Sequence, residues 1–217
     1  MSADIERPAN SENKVGRTPR TAPKLDKLLT ASAGLMARQG FGQTSIRDVA
    51  SETGFSLGGM YYYFENKEDL LFQIQRRTFG ALLELQEADL KEGGSAEECL
   101  RRLVRNHLEY FTEHFNELKV CTFELESLQG TRYAAIAELR RRYYQYLADV
   151  VAELEGLDAN ETADVERIRH ITLFIFGMLN WIFMWFSPER DEPVAHLGEE
   201  MIDLILNGLG NAPADRS

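Results

Sequence analysis

Only two cysteines, Cys99 and Cys121, occur in the 217 residues, and they do not form a C-x-x-C pair. That excludes a disulfide framework and a structural zinc site, and a reducing, cytoplasmic setting is expected. Histidine is scarce and scattered, at His107, His114, His170 and His196. His107 and His114 stand seven residues apart, two turns of one helix, too far for one mononuclear site. No metal and no cofactor is expected. A glycine-rich phosphate loop, a nucleophile elbow and clustered metal ligands are all missing, so a helical enzyme remains a rival reading with no motif behind it. Six prolines and 16 glycines rule out fibrous and low-complexity architectures. The most apolar run, 171–186, has 16 residues, short of the roughly 20 that cross a bilayer. It reads as a buried helix, and no membrane partner is expected. The first twenty residues are polar and lack the apolar core of a signal peptide.

What is present is a chain 44% hydrophobic and 27% charged, enough for a large core. Its net charge of −11 argues at first against a nucleic-acid partner, but the average hides an asymmetry. Residues 1–77 carry 11 basic and 9 acidic side chains, a net of +2, and the other 140 carry a net of −13. Between Lys14 and Arg47 the net is +6. Such a patch can attract phosphate locally while the bulk repels it, or can merely aid solubility.

Apolar residues recur at helical spacing throughout, and no segment sustains a period of two. An all-α fold of about nine helices follows. Residues 1–20 read as a disordered basic arm. Thr21 is expected to cap helix 22–39, and Thr44 a second, short helix. Gly54 suits a tight turn. Ser56 caps a third helix from Leu57 to about Tyr63, and Asn66 a fourth running to about Lys91. Ser95 with Glu98, and Asp158 with Glu161, read as capping boxes. Leu118, Cys121, Leu125 and Leu128 mark another helix, and Ile136 to Leu154 a long one ended by Gly156. The second capping box opens a helix through Phe186, and 194–208 is the last.

The informative stretch is 44–71, TSIRDVASETGFSLGGMYYYFENKEDLL. Two short helices joined by Gly54-Phe55-Ser56 have the length of a helix-turn-helix, whose second helix enters the DNA major groove. Ile46, Val49, Met60 and Phe64 can close a miniature core. Leu57, Gly58, Gly59, Tyr61, Tyr62 and Tyr63 then face outward. Three successive tyrosines cannot all be buried on one helix face, so at least one is exposed. Tyrosine hydroxyls suit phosphates, and glycines permit close backbone approach.

This segment resembles the DNA-binding domain of the TetR family of bacterial repressors. The resemblance rests on the helix-1 face, Gly40-Phe41, Thr44, Ile46, Val49-Ala50, Gly54, Ser56, Tyr61, Tyr63-Phe64 and Asn66-Lys67-Glu68-Asp69-Leu70. It implies a helix-turn-helix domain over 21–71 and a ligand-binding and dimerisation domain over 72–217. It implies a homodimer on a palindromic double-stranded operator, with phosphate contacts from Thr44, Tyr61 and Lys67. Gly58, Gly59 and Tyr62 would sit at base edges, and Ser56, Leu57 and Tyr63 would complete the DNA-facing set. Many members carry Lys where this chain has Leu57, so the operator sequence does not transfer.

The acidic remainder is rich in aromatics. The last two helices are expected to form the dimer's four-helix bundle. Gly177 to Trp181, with Trp185-Phe186 and Pro188, resembles the subset of the family responding to fatty acyl-CoA, and Arg140 with Tyr143 agrees. That resemblance implies an apolar effector site at Phe111, Phe123, Arg140, Tyr143, Phe174, Met178 and Trp181. The arginine groups 101/102/105, 140/141/142 and 167/169 are candidate phosphate contacts or solvated faces paired with glutamates. Asn180, inside the apolar run, needs a partner across an interface or on a ligand. A neutral aromatic or drug-like effector is the competing reading. Helix 4 would couple the two parts.

Overall fold

The computed structural model describes residues 22–208, and the expected basic arm, the Thr21 cap and residues 209–217 lie outside them. Among the described residues there are nine α-helices and no strand. They are α1 (Ala22–Gln39), α2 (Ile46–Thr53), α3 (Leu57–Met60), α4 (Lys67–Glu92), α5 (Ala96–Glu113), α6 (Phe115–Phe123), α7 (Gly130–Glu155), α8 (Thr162–Asn180) and α9 (Val194–Asn207). Two 3-10 turns, Leu125–Ser127 and Ile182–Met184, follow α6 and α8.

Helix α4 organises the molecule. At 26 residues it runs about 39 Å. Leu70, Leu71 and Ile74 are buried near its start, and Phe79, Leu82 and Leu83 further along. It packs on α7, α5, α1 and α6, while α5 packs on α9 and α7 on α8. The buried residues of α1–α3 join the same core as those of α4–α9.

The local chemistry corrects several expected boundaries. Ser45, not Thr44, caps α2: its Oγ accepts from the Asp48 amide at 3.2 Å, and Asp48 Oδ2 accepts from the Ser45 amide at 2.8 Å. Thr44 is 1% exposed, and its hydroxyl donates to the Gly40 carbonyl at 2.8 Å. Helix α3 stops at Met60, because Tyr61 to Tyr63 form a turn. Helix α6 ends at Phe123, and the chain reaches Leu128 through a 3-10 turn. Asp158 does not cap α8: its Oδ1 accepts from the Asn160 amide at 2.9 Å, and the helix begins at Thr162 with no side-chain cap. It ends at Asn180 rather than Phe186. Gly156 closes α7 in the left-handed region, at φ 63°, as the spacing predicts.

Candidate DNA interface and effector cavity

The helix-turn-helix is built from the inside out. Val49, Met60 and Phe64 are buried and hold α2 and α3 together. Gly54 takes φ 71°, which costs a side-chain residue strain, and its amide returns to the Ala50 carbonyl at 2.9 Å. Ser56 Oγ accepts from the Gly59 amide at 3.1 Å. A Cβ on Gly59 would meet that same oxygen at 3.1 Å, whereas one on Gly58 would meet nothing within 4 Å. Gly59 therefore serves the cap, and Gly58 faces open space.

Leu57, Tyr61 and Tyr62 are exposed, Tyr62 at 75%. Tyr63 is half-buried, its ring edge-on to Phe55 with centroids 5.9 Å apart. Lys67 Nζ donates to the carbonyls of Phe41 at 2.8 Å and Gly42 at 3.3 Å, and stands 4.3 Å over the Phe41 ring. It clamps the α1–α2 turn, leaving one ammonium proton for a phosphate. The Thr44 hydroxyl is already committed inside the fold. The exposed hydroxyl at the start of α2 belongs to Ser45.

Helices α4 to α8 enclose a cavity of about 410 Å³, within the range that holds small molecules. Helix α4 contributes Phe79 and Leu82, and α5 contributes His107 and Phe111. Helix α6 gives Leu118, Cys121 and Thr122; α7 gives Ala137, Arg140, Arg141, Tyr143 and Tyr144; and α8 gives Leu173, Phe176 and Asn180. Of the seven expected effector contacts, Phe111, Arg140 and Tyr143 meet here. Phe174, Met178 and Trp181 instead line an open apolar hollow with Trp185 and Met201. Phe123 is exposed and rests against Trp181 and Phe183. The reason is helical phase: Ile168, Thr172, Ile175 and Leu179 take the inward face of α8, which turns Phe174 out to 69% exposure.

The cavity is apolar with a few polar points. Arg140 Nη1 donates to the Cys121 carbonyl at 2.6 Å, and its guanidinium lies 5.6 Å over the Phe79 ring. Among the described residues it has no carboxylate partner. The neighbouring arginines differ. Arg141 is paired with Glu138, Arg142 with Glu87, Arg167 with Glu155, and Arg101 and Arg105 with Glu199. Those clusters are mainly solvated faces. The Asn180 side chain makes no hydrogen bond among the described residues, and the residue lines the cavity. Burial pushes the Cys121 thiol up to about 12, so it stays an unreactive thiol. No group of His, Cys, Asp and Glu among the described residues could hold a metal.

His107, scarcely weighed in the sequence, is 1% exposed and bonded through Nδ1 to the Tyr143 hydroxyl at 3.0 Å. Burial holds its pKa down at about 3, against an ordinary 6.5. The unfolded chain therefore takes up a proton below 6.5 that the folded chain refuses. Stability is fully present above that pH and falls by up to about 1.4 kcal/mol per pH unit below it. Urea unfolding at pH 7 and pH 5 should show this loss, and His107→Phe should remove it. Equal pH dependence in the two proteins would contradict a buried neutral imidazole.

Cavity and helix-turn-helix are joined by contacts between distant residues. Three residues past Cys121, Glu124 Oε1 accepts from the Phe41 amide at 3.0 Å, and its carbonyl accepts from Gln75 at 3.1 Å. Arg77 on α4 bonds Asp26 and Thr30 of α1 and the buried Glu117 of α6, at 3.0, 3.2 and 2.9 Å. Arg132 of α7 pairs with Glu65 at 3.0 Å. Helix α6 thus shares with α4 the connection to the helix-turn-helix.

Comparison with known proteins agrees with this layout. A family profile described as "Tetracyclin repressor-like, C-terminal domain" matches residues 93–209. One described as "Bacterial regulatory proteins, tetR family" matches 28–74. The fatty acid metabolism regulator protein of Bacillus subtilis is 25% identical over 190 residues, 87% of this chain and 97% of its own. The crystal structure of a TetR-family transcriptional regulator from Bordetella parapertussis superposes with a TM-score of 0.81 at 25% identity, covering 88% of this chain and 98% of that one. AibR, solved in complex with isovaleryl coenzyme A and operator DNA, shares the fold with a TM-score of 0.69 at 23% identity over 83% of this chain and 97% of its own. No helix among the described residues is long and apolar enough to cross a membrane. The matched families and relatives are transcriptional regulators, and the chain belongs to the TetR family.

Proposed function

We propose that this TetR-type repressor is released from a palindromic operator by a fatty acyl-CoA or a related CoA thioester bound in the α4–α8 cavity. The observation behind this reading is Arg140: a guanidinium at an apolar cavity, with no carboxylate partner among the described residues. Arg140 is half-buried, and a cation partly withdrawn from water without a counter-charge favours an anionic ligand beside it. The apolar walls suit an acyl chain. The likeness to a fatty acid metabolism regulator supports the same chemistry. An uncharged aromatic effector would use the same rings and ignore Arg140.

In this reading 21–71 is the DNA-binding part and 72–217 the sensing and dimerising part of a cytoplasmic protein that binds its ligand without turnover. Leu57, Gly58, Tyr61 and Tyr62 meet the operator, Tyr62 at base edges. Ser56 and Gly59 shape α3, Tyr63 braces it, and Lys67 offers its remaining proton to a phosphate. Phe174, Met178 and Trp181 belong to the seam with a second copy. The ligand draws Arg140 from the Cys121 carbonyl and shifts the end of α6. Glu124 then carries the shift to Phe41 and changes the spacing of the two heads, so ligand and operator favour different arrangements.

The test is a chain-length series of acyl-CoAs, titrated against the protein bound to an operator selected from random duplexes. Each added methylene contributes roughly 0.8 kcal/mol until the cavity is full, about fourfold in the concentration that releases DNA. Arg140→Ala should weaken every member of the series about equally. Release by an uncharged aromatic, with no CoA ester active, would contradict the proposal.

A further inference from the structure

His107 lines the cavity, yet its Nε2 is buried with no hydrogen-bond partner. Its other nitrogen is taken by the Tyr143 hydroxyl at 3.0 Å, which has no second partner among the described residues. The proton positions follow from that pair. If Nδ1 donated to Tyr143, both the phenol proton and the Nε2 lone pair would be stranded. If the phenol donates to Nδ1, only the Nε2 proton is stranded, and that arrangement costs less. The imidazole stays neutral in this surrounding, because burial keeps its pKa at about 3. A residue of the cavity wall therefore carries one buried, unanswered N–H donor, fixed in tautomer by Tyr143 and in orientation by the Phe111 ring, whose centroid is 4.7 Å from its own. Buried donors in native proteins are nearly always satisfied. A plain alkyl tail would leave this one unpaired.

We infer that His107 reads an acceptor oxygen carried on the apolar portion of the effector, so that the favoured ligand is an oxygenated chain rather than a saturated one. This rests on the α4–α8 cavity being the effector site, as proposed above, and does not require the coenzyme A group. Discrimination of this kind is steep, because a site built to hydrogen-bond a ligand atom pays for its absence as well as losing the bond. A matched oxygen should improve binding about tenfold over the saturated parent.

The experiment uses decanoic acid, its 4-oxo to 9-oxo derivatives, and the CoA esters of all of them. Each is titrated calorimetrically into the full-length dimer. One oxo position should bind about tenfold tighter than decanoate or decanoyl-CoA. His107→Phe should abolish that preference, bringing the favoured oxo ligand and its saturated parent to equal affinity, and His107→Gln, which keeps an N–H donor, should retain part of it. Nitrogen NMR of histidine-labelled wild-type protein should show the His107 Nε2 proton moving downfield only with the favoured ligand, a readout that does not depend on how the variants fold. The inference is overturned if no oxo position surpasses its saturated parent, or if the preference survives in His107→Phe. Arg140-dependent binding of CoA esters without oxygen preference would refute the His107 role and leave the acyl-CoA proposal standing. His107-dependent preference among the free acids, with the CoA esters inert, would do the reverse.

Discussion

Phe174→Glu is expected to split the dimer and to lower operator affinity at least about 100-fold. Phe174 is 69% exposed on the single chain, and Trp181, Trp185 and Met184 are at least half exposed. Phe174, Trp181 and Trp185, together with Met178 and Met201, border one apolar hollow formed by α8, the turn after it and α9. An exposed apolar face of this kind marks an interaction surface, and we assign it to the seam between two copies. Central aromatic anchors in such seams contribute 2 kcal/mol or more apiece, and symmetry places each twice. A buried carboxylate facing its own copy adds repulsion. Light scattering should fall from about twice 24.8 kDa to the single-chain mass. Because Phe174 touches solvent in the lone chain, the helical signal should persist unless the monomer is itself unstable. A Phe174→Glu protein that remains dimeric, with wild-type operator affinity, would place the seam elsewhere.

The second large effect is expected at Arg77. Its guanidinium ties α1, α4 and α6 through Asp26, Thr30 and Glu117, and the Glu117 side chain is only 3% exposed. Arg77→Met leaves that carboxylate buried without its cation, which costs about 3–5 kcal/mol. Against a total stability of about 5–15 kcal/mol, the urea midpoint should drop sharply. Arg77→Met combined with Glu117→Met should recover most of the loss, since the penalty lies in the orphaned charge. Equal loss in the single and double variants would mean that the arginine acts by packing alone.

The comparison between sequence and structure follows the range of each interaction. Helix α1 runs from 22 to 39 as its spacing and Gly40 indicate. The helix-turn-helix was legible because its signals are local: Gly54, Ser56 and the Asn66 cap act within four residues. The choice between Thr44 and Ser45 as cap was also legible in principle, since Asp48 stands three residues after Ser45 and completes the box. The end of α8 at Asn180 was hidden by the unbroken apolar run that continues to Phe186. The resemblance to the acyl-CoA-responsive subset grouped Phe174, Met178 and Trp181 with the cavity residues, whereas they line a separate hollow, because a helix apolar all round does not announce which side meets its own core and which stays open. Pairs that bridge long separations left no trace in the sequence. His107 meets Tyr143 across 36 residues and Glu124 meets Phe41 across 83. Both are set by how α5, α6 and α7 pack against their neighbours.

Filling the cavity is expected to separate sensing from DNA binding. Ala137 lines it and is half-buried, so Ala137→Phe adds a ring to the space without touching the helix-turn-helix or the seam. Operator occupancy followed by fluorescence anisotropy, with decanoyl-CoA titrated into wild-type and Ala137→Phe proteins, should show equal affinity for DNA without ligand. With ligand, the wild-type protein should leave the operator while the filled variant stays bound at least about tenfold further into the titration. Release of both proteins at the same ligand concentration would mean that the effector binds outside the α4–α8 cavity.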